Sequence, residues 1–262
     1  MNIKQSDFKN LKSYLDEAYF KYNQVQFIEN DPISLPHRFS KKEDIEISAF
    51  LIATISWGNR KSIIQNGLKL IQWMGEEPHD FICNYSKKDL KPFEKFVHRT
   101  FNGLDCIFFI QSLRNIYFNH QGLEHCFSKN DEQNSNIKNN LIEFRKVFFT
   151  SQHLLRSEKH ISNPDKNSSA KRLCMFLRWM VRKDNQGVDF GIWTKIKPSQ
   201  LCLPLDVHTG NVSRTLGLLK RTQNDWKAVE EITSVLKMMD PDDPIKYDFS
   251  LFGIGVNNNL KF

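Results

Sequence analysis

Ala170-Lys171-Arg172-Leu173-Cys174-Met175-Phe176-Leu177-Arg178-Trp179-Met180-Val181-Arg182 is the stretch that decides the fold. Ala170, Leu173, Cys174, Leu177, Met180 and Val181 recur at intervals of three and four, which is one face of a helix. At about 100° per residue, Lys171, Arg178 and Arg182 fall within about 40° of one another on another face. Such a row is either a solvated basic face or a set of phosphate contacts. Lys171 differs from the other two because it lies in the first turn. A lysine attacks only as the neutral amine, and the positive end of a helix disfavours an ammonium.

Working outward, Ser162-Asn163-Pro164-Asp165-Lys166-Asn167-Ser168-Ser169 reads as a loop leading into this helix. Residues 184–204 form a connection with a short helical piece. Asp206 then stands between Leu203-Pro204-Leu205 and a helix reaching about Leu216, the position of a helix-capping carboxylate. A capped, rigid carboxylate is also a good partner for a developing cation. Two helices close the chain, near 225–239 and 244–256. On the N-terminal side, Phe8, Leu11, Tyr14, Leu15, Ala18 and Tyr19 form an amphipathic stripe. Ile45–Ile55 is nearly continuous in apolar residues, which predicts deep burial. Ser56-Trp57-Gly58-Asn59 breaks it, and a helix from Ile63 to Trp73 ends near Gly75. Leu104–Tyr117 and Ile142–Leu155 complete the helical set, with a polar loop at 128–140. Strand-like alternation is nearly absent, so the expected fold is all-α.

The charge is unevenly spread. Residues 156–221 hold 13 Lys/Arg against 5 Asp/Glu, while the whole chain carries a net +7. The excess therefore lies in one quarter of the sequence, the pattern expected of a polyanion partner. No run of 18 apolar residues exists, so no membrane span is expected. The polar start, Met1–Asn10, gives no secretory signal. The five cysteines (Cys83, Cys106, Cys126, Cys174 and Cys202) are widely spaced without a C-x-x-C pair, as in a protein with reduced thiols. Cytoplasmic residence is expected. His79-Asp80 lacks further phosphohydrolase ligands, and Asp206 with His208 supplies only two, so no metal is expected.

Leu205-Asp206-Val207-His208-Thr209-Gly210-Asn211-Val212-Ser213-Arg214 resembles the (V/L)D-x-H-x-x-R segment of the helix-hairpin-helix DNA glycosylases, the endonuclease III and 8-oxoguanine glycosylase superfamily. The resemblance implies a catalytic Asp206, with Lys171 as the catalytic lysine of bifunctional members and loop 162–169 as the hairpin. Ile55-Ser56-Trp57-Gly58-Asn59-Arg60 is similar to the family's early helix-to-loop turn, which reaches into DNA. A closer resemblance, over nearly the whole chain, is to a bacterial family of unassigned function related to that superfamily. It rests on Ser169-Ala170-Lys171-Arg172-Leu173, Phe176–Arg182 and Tyr247-Asp248-Phe249-Ser250-Leu251-Phe252-Gly253. The chain departs from the superfamily in three ways. Its hairpin has no Gly-x-Gly, so Asn163 or Asn167 would supply the left-handed residue. The step from Lys171 to Asp206 is 35 residues, long as in archaeal 8-oxoguanine glycosylases. No cysteine follows Cys202, so no iron–sulfur cluster is expected.

These readings combine into one expectation. The chain is a single unit over 1–262, with two helical subdomains around a cleft. Residues 40–190 form the central one, including the hairpin region 162–182. Residues 1–39 with 191–262 form the second. The expected function is a monomeric, nucleoid-associated base-excision glycosylase acting on duplex DNA with a damaged purine such as 8-oxoguanine. It would need no cofactor and could carry Lys171-mediated β-lyase activity. Asn59, Arg60, Lys166, Ser168, Arg172, Arg178, Arg182, His208 and Arg214 are the candidate nucleic-acid contacts. Trp57 and Trp179 are candidates for the base pocket, or for the core. The main alternative is a non-catalytic DNA- or RNA-binding protein of the same fold. A metal-dependent nuclease is a third reading, and it needs more converging ligands than the sequence offers.

Overall fold

The computed structural model describes residues 5–128 and 137–257, and periodic apolar spacing yields helices through most of that length. They are α1 (Gln5–Tyr22), α2 (Lys42–Ile55), α3 (Arg60–Trp73), α4 (Pro78–Asn84), α5 (Lys91–Glu94), α6 (Gly103–Asn119), α7 (Leu123–Phe127), α8 (Lys138–Phe148), α9 (Lys171–Val181), α10 (Val207–Thr215), α11 (Trp226–Met239) and α12 (Tyr247–Val256). One small hairpin, β1 (Val97–His98) with β2 (Phe101–Asn102), is the sole sheet among the described residues.

The most apolar helix lies at the centre. From Ile45 to Ile55 every residue of α2 is buried, so the helix must be covered on all sides. It packs on α3, α4 and α9. The approach of α3 is close because Gly67 presents no side chain; a Cβ there would stand 2.4 Å from Ile52 Cδ1 and Leu35 Cδ1. Phenylalanine fills much of the surrounding space. Phe50 meets the rings of Phe109, Phe144, Phe148 and Phe176, and Phe127 stacks on Phe144 at 3.9 Å. Burying each such ring contributes about 2–3 kcal/mol over leaving it in water. A second packing group joins the chain ends, with α12 lying against both α1 and α10. The buried apolar residues of both groups form one continuous core.

The termini of these helices follow local chemistry. Asn59, Asn102, Asp206 and Asp225 cap α3, α6, α10 and α11 through their side chains. After α3, Gly75 takes φ 68°, which lets the chain turn away. The helix expected over Ile142–Leu155 stops earlier, at Phe148. There the Thr150 hydroxyl donates to the Val147 carbonyl at 2.8 Å, competing for a backbone acceptor, and the chain continues into a 3₁₀ turn at Leu155–His160. Of the polar loop expected at 128–140, residues 129–136 lie outside the described residues, and its last three residues belong instead to α8, which starts at Lys138 and buries Asn140. No helix among the described residues is long and apolar enough to cross a membrane.

The row of cations on α9 corrects the sequence expectation. Arg178 and Arg182 are 5% and 0% exposed, not aligned on a solvated face. Arg178 pairs with Asp189 (3.2 Å) and Asp248, and Arg182 with Asp184 (2.7 Å), Asp189 (3.0 Å) and Asp243 (2.9 Å). The Tyr19 hydroxyl accepts a further hydrogen bond from Arg182 Nη2 at 2.7 Å. The connection after α9 supplies Asp184 and Asp189 to this face, and the segment leading into α12, with α12 itself, supplies Asp243 and Asp248. Burial opposes the charge on both guanidiniums, but the carboxylates outweigh it and hold both firmly protonated. Both guanidiniums, expected as phosphate contacts, are thus engaged within the protein.

Candidate active site at the cleft

Lys171 and Asp206 are brought together by two helix starts. Lys171 opens α9 because the residue before it, Ala170, sits in the left-handed region (φ 46°), where a helix cannot continue. Asp206 precedes α10 as its cap. Its Oδ1 accepts from the Thr209 amide at 2.8 Å and from the Thr209 hydroxyl at 3.1 Å. The Thr209 hydroxyl in turn accepts from the Asp206 amide at 2.8 Å. One carboxylate oxygen is thus fixed by the helix, and the other, Oδ2, faces Lys171 Nζ at 3.3 Å.

Both side chains line a cavity of about 500 Å³, within the range of small-ligand sites. Phe27, Trp57, Met175 and Phe252 give it apolar walls, while Asp31, Arg60, Arg178, His208 and Asp248 supply polar groups. Asp248 is buried and bonded to Arg178. Burial, helped by the nearby Asp206 charge, pushes its carboxyl up to about 6. The Arg178 charge and hydrogen bond pull the other way without outweighing the desolvation. Asp31 caps a 3₁₀ turn by accepting from the Ile33 amide at 3.1 Å. Desolvation raises its carboxyl as well, against the pull of Arg60, Arg178 and Lys171. Asp248, Arg178, Asp189 and Arg182 thus alternate in sign from the cavity wall into the core, beside the separate Lys171–Asp206 pair.

The other expected site residues divide into two groups. Arg60 is exposed at the cavity, Asn59 beside it engages its side chain in capping α3 (3.1 Å from the Ser62 amide), and His208 is exposed on α10. Trp57 lines the cavity and Trp179 does so from a buried position. Lys166 is exposed on the hairpin. Ser168 is half-buried, its hydroxyl accepting from the Ala170 amide at 3.4 Å. Arg172 and Arg214, in contrast, are engaged within the protein. Arg172 lies over the Trp57 ring (4.7 Å) and donates to the Thr54 carbonyl at the end of α2; burial lowers its pKa to about 10. Arg214 holds the loop before α11 by donating to the Arg221 carbonyl (2.8 Å) and Asn224 Oδ1 (2.6 Å). Arg172 and Arg214, expected as phosphate contacts, thus direct these donors to carbonyl and amide oxygens of the chain.

The hairpin manages without glycine. Asn167 takes the left-handed conformation (φ 60°, ψ 22°), whereas Asn163 is extended (φ −110°). Asn167 Nδ2 donates to Asp225 at 2.9 Å, and the Asn167 carbonyl accepts from the Trp226 amide at 3.2 Å. The hairpin is thereby tied to the start of α11. Asp31 and Asp248 were missed as site residues by sequence reasoning. Asp248 carried one signal, an acid within the otherwise apolar helix Tyr247–Val256; Asp31 carried none beyond its Asp-Pro turn. No group of three or more His, Cys, Asp or Glu suited to a metal ion occurs among the described residues.

Fold and site together define an all-helical protein with a lysine–aspartate pair at the wall of a cleft. A family model described as "Protein of unknown function (DUF2400)" matches residues 31–257, and the chain belongs to that family. No curated protein and no solved structure matches it.

Proposed function

We propose that the chain is a DNA glycosylase of the helix-hairpin-helix type with lysine-mediated lyase activity on a damaged purine. The observation that carries the reading is the 3.3 Å approach of Lys171 Nζ to Asp206 Oδ2 at one cavity. A target nucleotide leaves the duplex, since its glycosidic bond is out of reach in the stack. Its base enters between Trp57, Phe27 and Phe252. Lys171, as the neutral amine, forms a bond to C1′ while the glycosidic bond breaks, and the departing base takes the electron pair and a proton. The aminal so formed opens as its C1′–O4′ bond breaks and O4′ takes a proton, and the resulting Schiff base permits β-elimination. Asp206 Oδ2 stabilises the positive charge developing on the sugar. In this reading α1, α10 and α12 form one side of a two-lobed glycosylase-like arrangement, and α2, α3 and α9 form the other.

The rival is a nucleic-acid-binding protein without catalysis. The Lys171–Asp206 pair at the cavity tells against it, because binding alone needs no such pair, whereas the internal pairing of Arg178, Arg182, Arg172 and Arg214 bears on both readings alike. Borohydride trapping on a panel of lesion-containing duplexes separates the two. The glycosylase gives a covalent protein–DNA adduct that disappears in Lys171→Arg and Lys171→Gln. A wild type that cleaves a lesion equally well after Lys171→Arg would exclude the lysine as nucleophile. Binding across the whole panel without base release would support the rival.

A further inference from the structure

The β1–β2 hairpin ends in a two-residue tip, Arg99-Thr100, since Val97 pairs with Asn102 and His98 with Phe101. A tip of this length calls for residues that accept positive φ, usually Gly or Asn. Here Arg99 occupies the strained position at φ 53°. Strain of this kind persists only where the surroundings enforce it, and the hairpin base is firmly held. His98 is buried; one ring nitrogen lies 3.1 Å from the Trp57 carbonyl and the other 3.0 Å from Asn66 Nδ2. Phe101 packs on Phe109 and His160 in the core. The Thr100 carbonyl accepts from Arg156 at 2.9 Å.

The Arg99 side chain lies across Gly58. A Cβ at that glycine would stand 3.1 Å from both Arg99 Cδ and Nη1, so a side chain at residue 58 would push the arginine aside by a few tenths of an ångström. Gly58 lines the cavity between Trp57 and Arg60. Arg99 is exposed and forms no ion pair among the described residues. This sets it apart from Arg156, Arg172, Arg178 and Arg182, each bonded inside the protein. We propose that the Arg99 tip is a second phosphate-binding element, separate from the 162–169 hairpin, which holds the backbone of the strand whose nucleotide enters the cleft. A guanidinium fork matches phosphate in two directions at once. The fixed backbone sets the point at which this side chain leaves the hairpin. The inference rests on the nucleic-acid reading above.

The test is fluorescence anisotropy of the full chain with a labelled duplex bearing a tetrahydrofuran abasic-site analogue, at several salt concentrations. Arg99→Ala should weaken binding several-fold and lower the salt slope by about one phosphate, with Arg99→Lys in between. Arg99→Gly adds a readout that a structural role would not give. Glycine accepts positive φ freely, so Tm should rise or hold while affinity falls as in Arg99→Ala. If the wild type binds and Arg99→Ala and Arg99→Gly bind with unchanged affinity and slope, the Arg99 inference is overturned and the nucleic-acid reading stands. If the wild type does not bind the duplex even at low salt, the nucleic-acid reading fails, and this inference with it.

Discussion

Asp206 faces two ways at once: its Oδ1 holds the Thr209 amide at 2.8 Å, and its Oδ2 meets Lys171 Nζ at 3.3 Å. The cap fixes the carboxylate whatever happens at the lysine, and this separates the structural from the chemical effect of mutation. Asp206→Asn retains an oxygen for the cap, and Asn and Asp cap about equally well, so the stability loss should stay below about 0.5 kcal/mol. Asp206→Ala should lose about 1 kcal/mol. In the glycosylase reading both slow base release by about 100-fold or more. Urea unfolding and single-turnover cleavage measure the two effects. Wild-type base release by Asp206→Asn would remove the carboxylate from the mechanism.

Arg178 is a keystone of the interior. Arg178→Ala leaves Asp189 and Asp248 without their shared guanidinium in a buried setting. A loss of about 3–5 kcal/mol in unfolding free energy is expected. A loss under about 1 kcal/mol, measured by urea titration, would show that the paired carboxylates do not depend on it.

Asp248 makes stability depend on pH in a definite direction. Its carboxyl is raised from 3.8 to about 6 in the folded protein, so between these values the folded state binds the extra proton. Wild-type stability from this group therefore falls as pH rises from about 4 to about 6, by about 3 kcal/mol at most. Asp248→Asn lacks this titration. Its stability deficit relative to wild type should be largest near pH 4 and should shrink by pH 7.5. Paired unfolding curves at the two pH values check it; a deficit that grows with pH would mean that Arg178 holds Asp248 ionised.

Lys166 and Arg182 separate exposed from internal cations. Lys166 is exposed on the hairpin, whereas Arg182 is fully buried among Asp184, Asp189 and Asp243. Lys166→Ala should weaken duplex binding for all sequences and reduce the salt slope by about 1. Arg182→Lys should leave the slope unchanged and lower the urea midpoint, because a point charge cannot serve three carboxylates and Tyr19 together. An altered slope in Arg182→Lys would place that residue at the nucleic acid after all.

What the sequence by itself determined is what depends on near neighbours. Apolar spacing is set within a turn or two of helix, so α2, α3, α6, α9 and α11 were legible, as was Asp206 at the head of α10. The weight of positive charge at 156–221 was equally legible, but its use was not. Arg178 meets Asp248 from 70 positions away, Arg182 meets Asp243 from 61 and Tyr19 from 163. A charge count along the chain cannot see partners that only packing brings near. Coulomb attraction acts on distance in space, and burial leaves such pairs unscreened. The tertiary structure alone therefore decided which cations are internal. It also brought Asp31 and Asp248 to the cavity of Lys171 and set Arg99 across Gly58 at its edge.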